Sequence, residues 1–133
     1  MSLRQIRFPV VLGVFLVAIA AVNGFAEMNS WYWKMRWFDM PMHFAGGAWL
    51  AGFAAWWQYS RQGIAIQSFP KLLGVCLVFV LSVGLLWEAY EYVVSFVTGG
   101  HINEMLDTLG DLLFDILGGT VVAVLVWVKA TLK

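Results

Sequence analysis

The sequence predicts an all-α integral membrane protein, folded as a compact antiparallel bundle of four transmembrane helices. Three observations predict it. The 133 residues are 62% hydrophobic and only 12% charged, with a mean hydropathy of +0.80, which is more apolar surface than so small a soluble domain can enclose. The apolar residues gather into four stretches of spanning length with short polar connections between them. Lys and Arg alternate with those stretches in the manner that sets orientation in a bilayer.

Residues 1–133 read as a single transmembrane domain with spans at about residues 9–28, 41–59, 70–97 and 106–128. In the first segment, Arg4 and Arg7 precede an apolar run over residues 8–26, about 28 Å long as a helix and sufficient to span. A cleavage-like Ala18 and Ala20 pair falls inside this run rather than after it, so the segment is expected to be retained as a helix. Asn23 and Glu27 share one face near its far end.

Residues 29–42 interleave Trp31, Tyr32, Trp33, Trp37 and Phe38 with Lys34 and Arg36, a mixture that favours the headgroup layer. Asp39 and Pro41 then mark a helix start. His43 follows Asp39 by four residues, and Gly46, Gly47, Ala48, Ala51, Gly52, Ala54 and Ala55 make the second segment rich in small side chains that let helices approach closely in lipid. Pro70 opens the third segment, which carries Glu88 and Glu91 towards its end. His101 and Glu104 read as solvated loop residues. The fourth segment begins with Asp107, Asp111 and Asp115 at four-residue spacing, a carboxylate stripe running into the apolar run that ends near Val128.

Charge constrains the topology and excludes one class of partner. Eight Lys and Arg balance eight Asp and Glu, leaving no basic footprint for nucleic acid. Arg4, Arg7, Arg61, Lys71, Lys129 and Lys133 fall on one side of a four-span arrangement, so both termini are expected in the cytoplasm. The single Cys76 lies in an apolar run and reads as a core side chain.

In this topology the polar residues of all four segments meet near one membrane surface. Intramembrane ionisable groups mark functional sites, and carboxylates with one imidazole suit a divalent metal such as Zn, Mn or Fe, or Mg when oxygen ligands dominate. The expected metal ligands are His43, Glu88, Glu91, Asp111 and Asp115, for one or two ions. Glu91, His43 and Asp107 are the candidates for proton transfer or catalysis, with Asn23, Glu27 and Asp39 in supporting positions. No CxxC, HExxH, P-loop or dinucleotide fingerprint is present. The expectation is an outward-facing carboxylate and histidine site that binds metal and hydrolyses a lipid-linked or other envelope substrate through a metal-bound water. Enzymatic activity itself is left open. The alternatives are a proton or cation transport subunit, and a nonenzymatic assembly or chaperone protein acting as a homo-oligomer or with a membrane-protein partner.

Asp39, Pro41, His43, Phe44, Gly46 and Gly47, then Trp87, Glu88 and Glu91, then Asp107, Asp111 and Asp115 followed by Gly118 and Gly119, together resemble the pattern of the small YjdF-like and, more distantly, VanZ-like membrane proteins. The resemblance covers roughly residues 39–128. It implies a multi-pass protein of the bacterial cytoplasmic (inner) membrane whose matching polar positions are His43, Glu88, Glu91, Asp107, Asp111 and Asp115; it assigns no reaction.

Overall fold

The protein is described by a computed structural model covering residues 9–99 and 105–132. Arg4, Arg7, His101, Glu104 and Lys133 lie outside the described residues. Pro9 holds extended backbone at φ −64° and ψ 123° and launches α1 (Val10–Met28). A short link containing Ser30, in left-handed conformation at φ 58°, leads to α2 (Trp31–Lys34) and a 3-10 turn (Arg36–Phe38). The helix α3 (Asp39–Ala55) continues directly into a π-helical turn (Trp56–Arg61). Pro70 lies in the first turn of α4 (Phe69–Thr98), where its missing N–H leaves no helical hydrogen bond unmade. Gly99, at φ 69°, ends α4 in the left-handed conformation that glycine adopts without strain. The last helix is α5 (Met105–Thr131).

The expected bundle of four transmembrane helices is corrected here. The described chain is all-α with five α-helices, and three of them, α1, α4 and α5, are long and apolar enough to cross a membrane. The second expected span does not join that set. Its α-helical part is 17 residues long, starts with Asp39 and His43, and carries glycine and alanine where a lipid-facing helix carries branched side chains. The physical reason is its position. The other long helices pack around α3, so its inner face needs small residues for close approach more than apolar bulk for contact with lipid.

The glycines report how close that approach is. A Cβ built on Gly47 would overlap the Asp115 carbonyl, and one on Gly118 would overlap the Phe44 carbonyl. Contacts along the two helices advance together, from His43 with Asp111 through Gly47 with Asp115 to Ala51 with Gly119 and Gly52 with Val122, so α3 and α5 run parallel with their backbones in contact. The α4–α5 pairs run the other way: Gly84 faces Asp115, whereas Val80 faces Gly119, so α4 is antiparallel to α5. Leu12 of α1 and Val122 of α5 both approach Gly52, and Trp49 Nε1 donates to the Leu12 carbonyl at 2.8 Å. The start of α1 and the later part of α5 thus lie at the same end of the bundle.

Ala51, Ala55, Tyr59, Leu72, Cys76, Val80 and Ala123 form the apolar core at that end. Large apolar residues on the outer faces, including Val78, Leu86 and Phe96, are exposed, as expected of surfaces that meet lipid rather than water. Cys76 is buried, and its thiol donates to the Ala51 carbonyl at 3.6 Å.

Gly118→Ala forces a Cβ into the Phe44 carbonyl and is expected to destabilise the protein by about 1–3 kcal/mol or more. Gly74→Ala, whose Cβ would meet nothing within 4 Å, is expected to be neutral or slightly stabilising. Denaturant unfolding of both variants in detergent micelles checks this, and equal effects would contradict the close α3–α5 packing.

Candidate metal centre

Asp39 and His43 are one helical turn apart at the start of α3, so both side chains leave the same face. Asp111 and Asp115 stand in the same relation on α5. The contact of Gly47 with the Asp115 backbone brings these two faces together. His43 is thereby held between the aspartates: its Nδ1 is 3.4 Å from Asp115 Oδ2, while its Nε2 is 3.7 Å from Asp39 Oδ1 and 3.9 Å from Asp111 Oδ2. The first distance is that of a hydrogen bond. The other two are too long for one, but both are shorter than two metal–ligand bonds of about 2.0–2.2 Å laid end to end, so one ion can reach both members of each pair.

Asp39, His43 and Asp111 each place one ligand atom within 4.8 Å of the others. The cluster is geometrically able to chelate a divalent metal. Asp115 is placed differently, because it holds the ring nitrogen that faces away from Asp39 and Asp111. A carboxylate bonded to the second nitrogen of a ligating imidazole fixes ring orientation and tautomer and raises basicity.

The structure overturns the expected outward-facing site near the membrane surface. His43 is 9% exposed, Asp111 3%, Asp115 4% and Glu88 7%; Asp39 is the partly exposed edge of the group, with its side chain 33% accessible. The sequence places these residues near helix ends, but the glycine contacts draw α3, α4 and α5 together at that level and close the site. Phe38, itself buried, precedes Asp39 and collects Trp31, Tyr32 and Trp37 edge-on around its ring. The aromatic connection covers the start of α3.

The remaining candidates occupy three kinds of position. Glu88 is buried on α4, and among the described residues neither of its carboxylate oxygens has a hydrogen-bond partner; Asp111 Oδ2 shares that condition. Glu91 is half-buried and accepts a hydrogen bond from Trp87 Nε1 at 2.9 Å. Asp107 and Glu27 are exposed. Asn23 accepts a hydrogen bond from the Tyr32 hydroxyl, which ties the end of α1 to the connection rather than to His43. Sequence reasoning gave Asp39 a supporting position, whereas the structure puts it among the potential ligands; its four-residue spacing from His43 was the available signal. Gly47, Gly84 and Gly118 were legible as small residues but not as the contacts that aim the acidic side chains.

These features define a polytopic membrane protein with a His/Asp cluster buried among its helices. The chain belongs to the family described as "Predicted membrane protein (DUF2238)", whose family model matches residues 3–131. That match points to neither a VanZ-like nor a YjdF-like group. No curated protein and no solved structure matches the chain.

Burial, followed by the charges of Asp39 and Glu27, pushes the Tyr32 phenol up to about 12. The neutral phenol is the form favoured by folding, so its contribution is intact below the ordinary value of 10.0 and is lost as pH rises from there towards 12. Ultraviolet titration is expected to show a late phenol ionisation that Tyr32→Phe removes. An unchanged titration curve in that variant would contradict the assignment.

Proposed function

We propose that this protein binds a single divalent transition metal inside its helix bundle, through Asp39 Oδ1, His43 Nε2 and Asp111 Oδ2, with Asp115 orienting the imidazole. The observation that carries the reading is the placement of His43 Nε2 at 3.7 and 3.9 Å from two carboxylate oxygens on different helices. A cation there offsets the repulsion and desolvation that otherwise make clustered intramembrane carboxylates expensive. An imidazole with carboxylates suits Zn, Mn or Fe(II). Mg is the weaker fit because it retains several waters in an octahedral shell, for which an enclosed site has little room. A metal held in this set supplies Lewis-acid character and draws α3 and α5 together.

The finer kinship with YjdF-like and, more distantly, VanZ-like proteins is part of the same proposal, supported by Asp39, His43, Glu88, Glu91, Asp111 and Asp115. So is placement in a bacterial cytoplasmic membrane with both termini cytoplasmic and lipid against the outer faces. The side on which Arg61, Lys71 and Lys129 fall supports that orientation.

Purified protein in detergent is expected to take up one equivalent of Zn, Mn or Fe(II) by elemental analysis. At a free concentration of about 100 times Kd the metal should stabilise it by about 2.7 kcal/mol. His43→Ala is expected to lower affinity by two orders of magnitude or more, and Asp115→Asn by about 10–100-fold. Protein that enriches none of these metals, and whose stability is unchanged by them and by chelators, would contradict the proposal.

A further inference from the structure

The metal reading accounts for α3 and α5 but leaves Glu88 of α4 unexplained. Glu88 is 7% exposed, and both of its carboxylate oxygens are without a hydrogen-bond partner among the described residues. Buried carboxylates are ordinarily paired or bound to a cation, so this group calls for one. The helix register shows where it stands. Val80 faces Gly119 and Gly84 faces Asp115 across the antiparallel α4–α5 seam, and one further turn places Glu88 beside Asp111. Among the described residues, Asp111 Oδ2 is the other buried carboxylate oxygen without a hydrogen-bond partner, and it is also the atom that faces His43 Nε2.

We infer that Glu88 is the fourth protein ligand of the metal centre and that the ion latches α4 onto the α3–α5 pair. The inference rests on the centre proposed above. Glu88 falls outside the group whose ligand atoms lie within 4.8 Å of one another, and charge explains why. As carboxylates, Glu88 and Asp111 repel each other across the seam; a cation bound at Asp111 reverses the sign of that interaction. The rotatable bonds of the glutamate side chain then let it close without movement of the α4 backbone. Gly84 leaves room for this arrangement, since a Cβ there would lie 2.8 Å from Asp115 Oδ2 and 3.1 Å from a Leu112 methyl carbon. One imidazole and three carboxylates make a four-ligand site, the closed form typical of structural rather than catalytic metal centres. The centre thus acts as a cation-dependent fastening of three helices.

Titration of the detergent-solubilised protein with Co(II), read by visible absorption, tests the inference. Wild type is expected to develop the intense bands of four-coordinate Co(II). Glu88→Gln is expected to bind at least 10-fold more weakly, with the bands losing intensity as water replaces the carboxylate. Glu88→His, which supplies a different ligand atom, is expected to retain binding with shifted bands; it decides the matter if Glu88→Gln fails to fold. Folded Glu88→Gln with unchanged affinity and spectrum, or Glu88→His with wild-type bands, would overturn the role of Glu88 while leaving the three-residue centre standing. Wild-type protein that binds no Co(II), or binds it equally well after His43→Ala, would overturn the centre and the latch together.

Discussion

Backbone contact between α3 and α5 governs the arrangement of this protein. Gly47 meets the Asp115 carbonyl and Gly118 meets the Phe44 carbonyl so closely that a single methyl group at either glycine has no space. In lipid, helices gain little from burying apolar side chains against each other, and association depends on close packing and polar contacts. Two helices in such contact present their side chains at nearly the same depth. His43, one turn before Gly47, is therefore delivered between Asp111 and Asp115.

The same contact creates the electrostatic problem that the site must solve. Asp111, Asp115 and Glu88 are all more than nine-tenths buried, and Asp39 joins them from the edge. One imidazole cannot compensate so many carboxylates. His43 satisfies Asp115 through a hydrogen bond, but it meets Asp39 and Asp111 only at longer range, and Glu88 meets no hydrogen-bonding partner among the described residues. The orphaned oxygens are concentrated on adjacent turns of α4 and α5 instead of being scattered over the bundle. A divalent cation is the economical solution, because one ion compensates several oxygens at once.

The sequence makes the helical, membrane-embedded character legible through hydropathy and length, and the four-residue spacing of Asp39 with His43 and of Asp111 with Asp115 exposes the two faces that meet. The status of the second segment was not legible. Its glycines and alanines permit either a span or an enclosed helix, and only their contacts reveal the enclosure. Depth was also hidden, because a position near a helix end does not disclose whether neighbouring helices close over it. Asp107 and Asp111 belong to one stripe, yet Asp107 is exposed and Asp111 buried. Asn23 looks like a companion of Glu27 by spacing, but its partner is Tyr32, across the link between α1 and α2. Polar spacing identifies a shared face, whereas the choice of partner depends on the packing between helices.

The central claim is that the buried meeting point of α3, α4 and α5 is a metal centre. Anomalous diffraction at the absorption edge of the bound metal, on crystals grown from a membrane mimic, tests it most directly. One strong peak is expected, within bonding distance of His43 Nε2 and of carboxylate oxygens of Asp39 and Asp111. A well-ordered structure that shows these side chains without a peak after metal loading, or with the peak at a different set of residues, would contradict the claim.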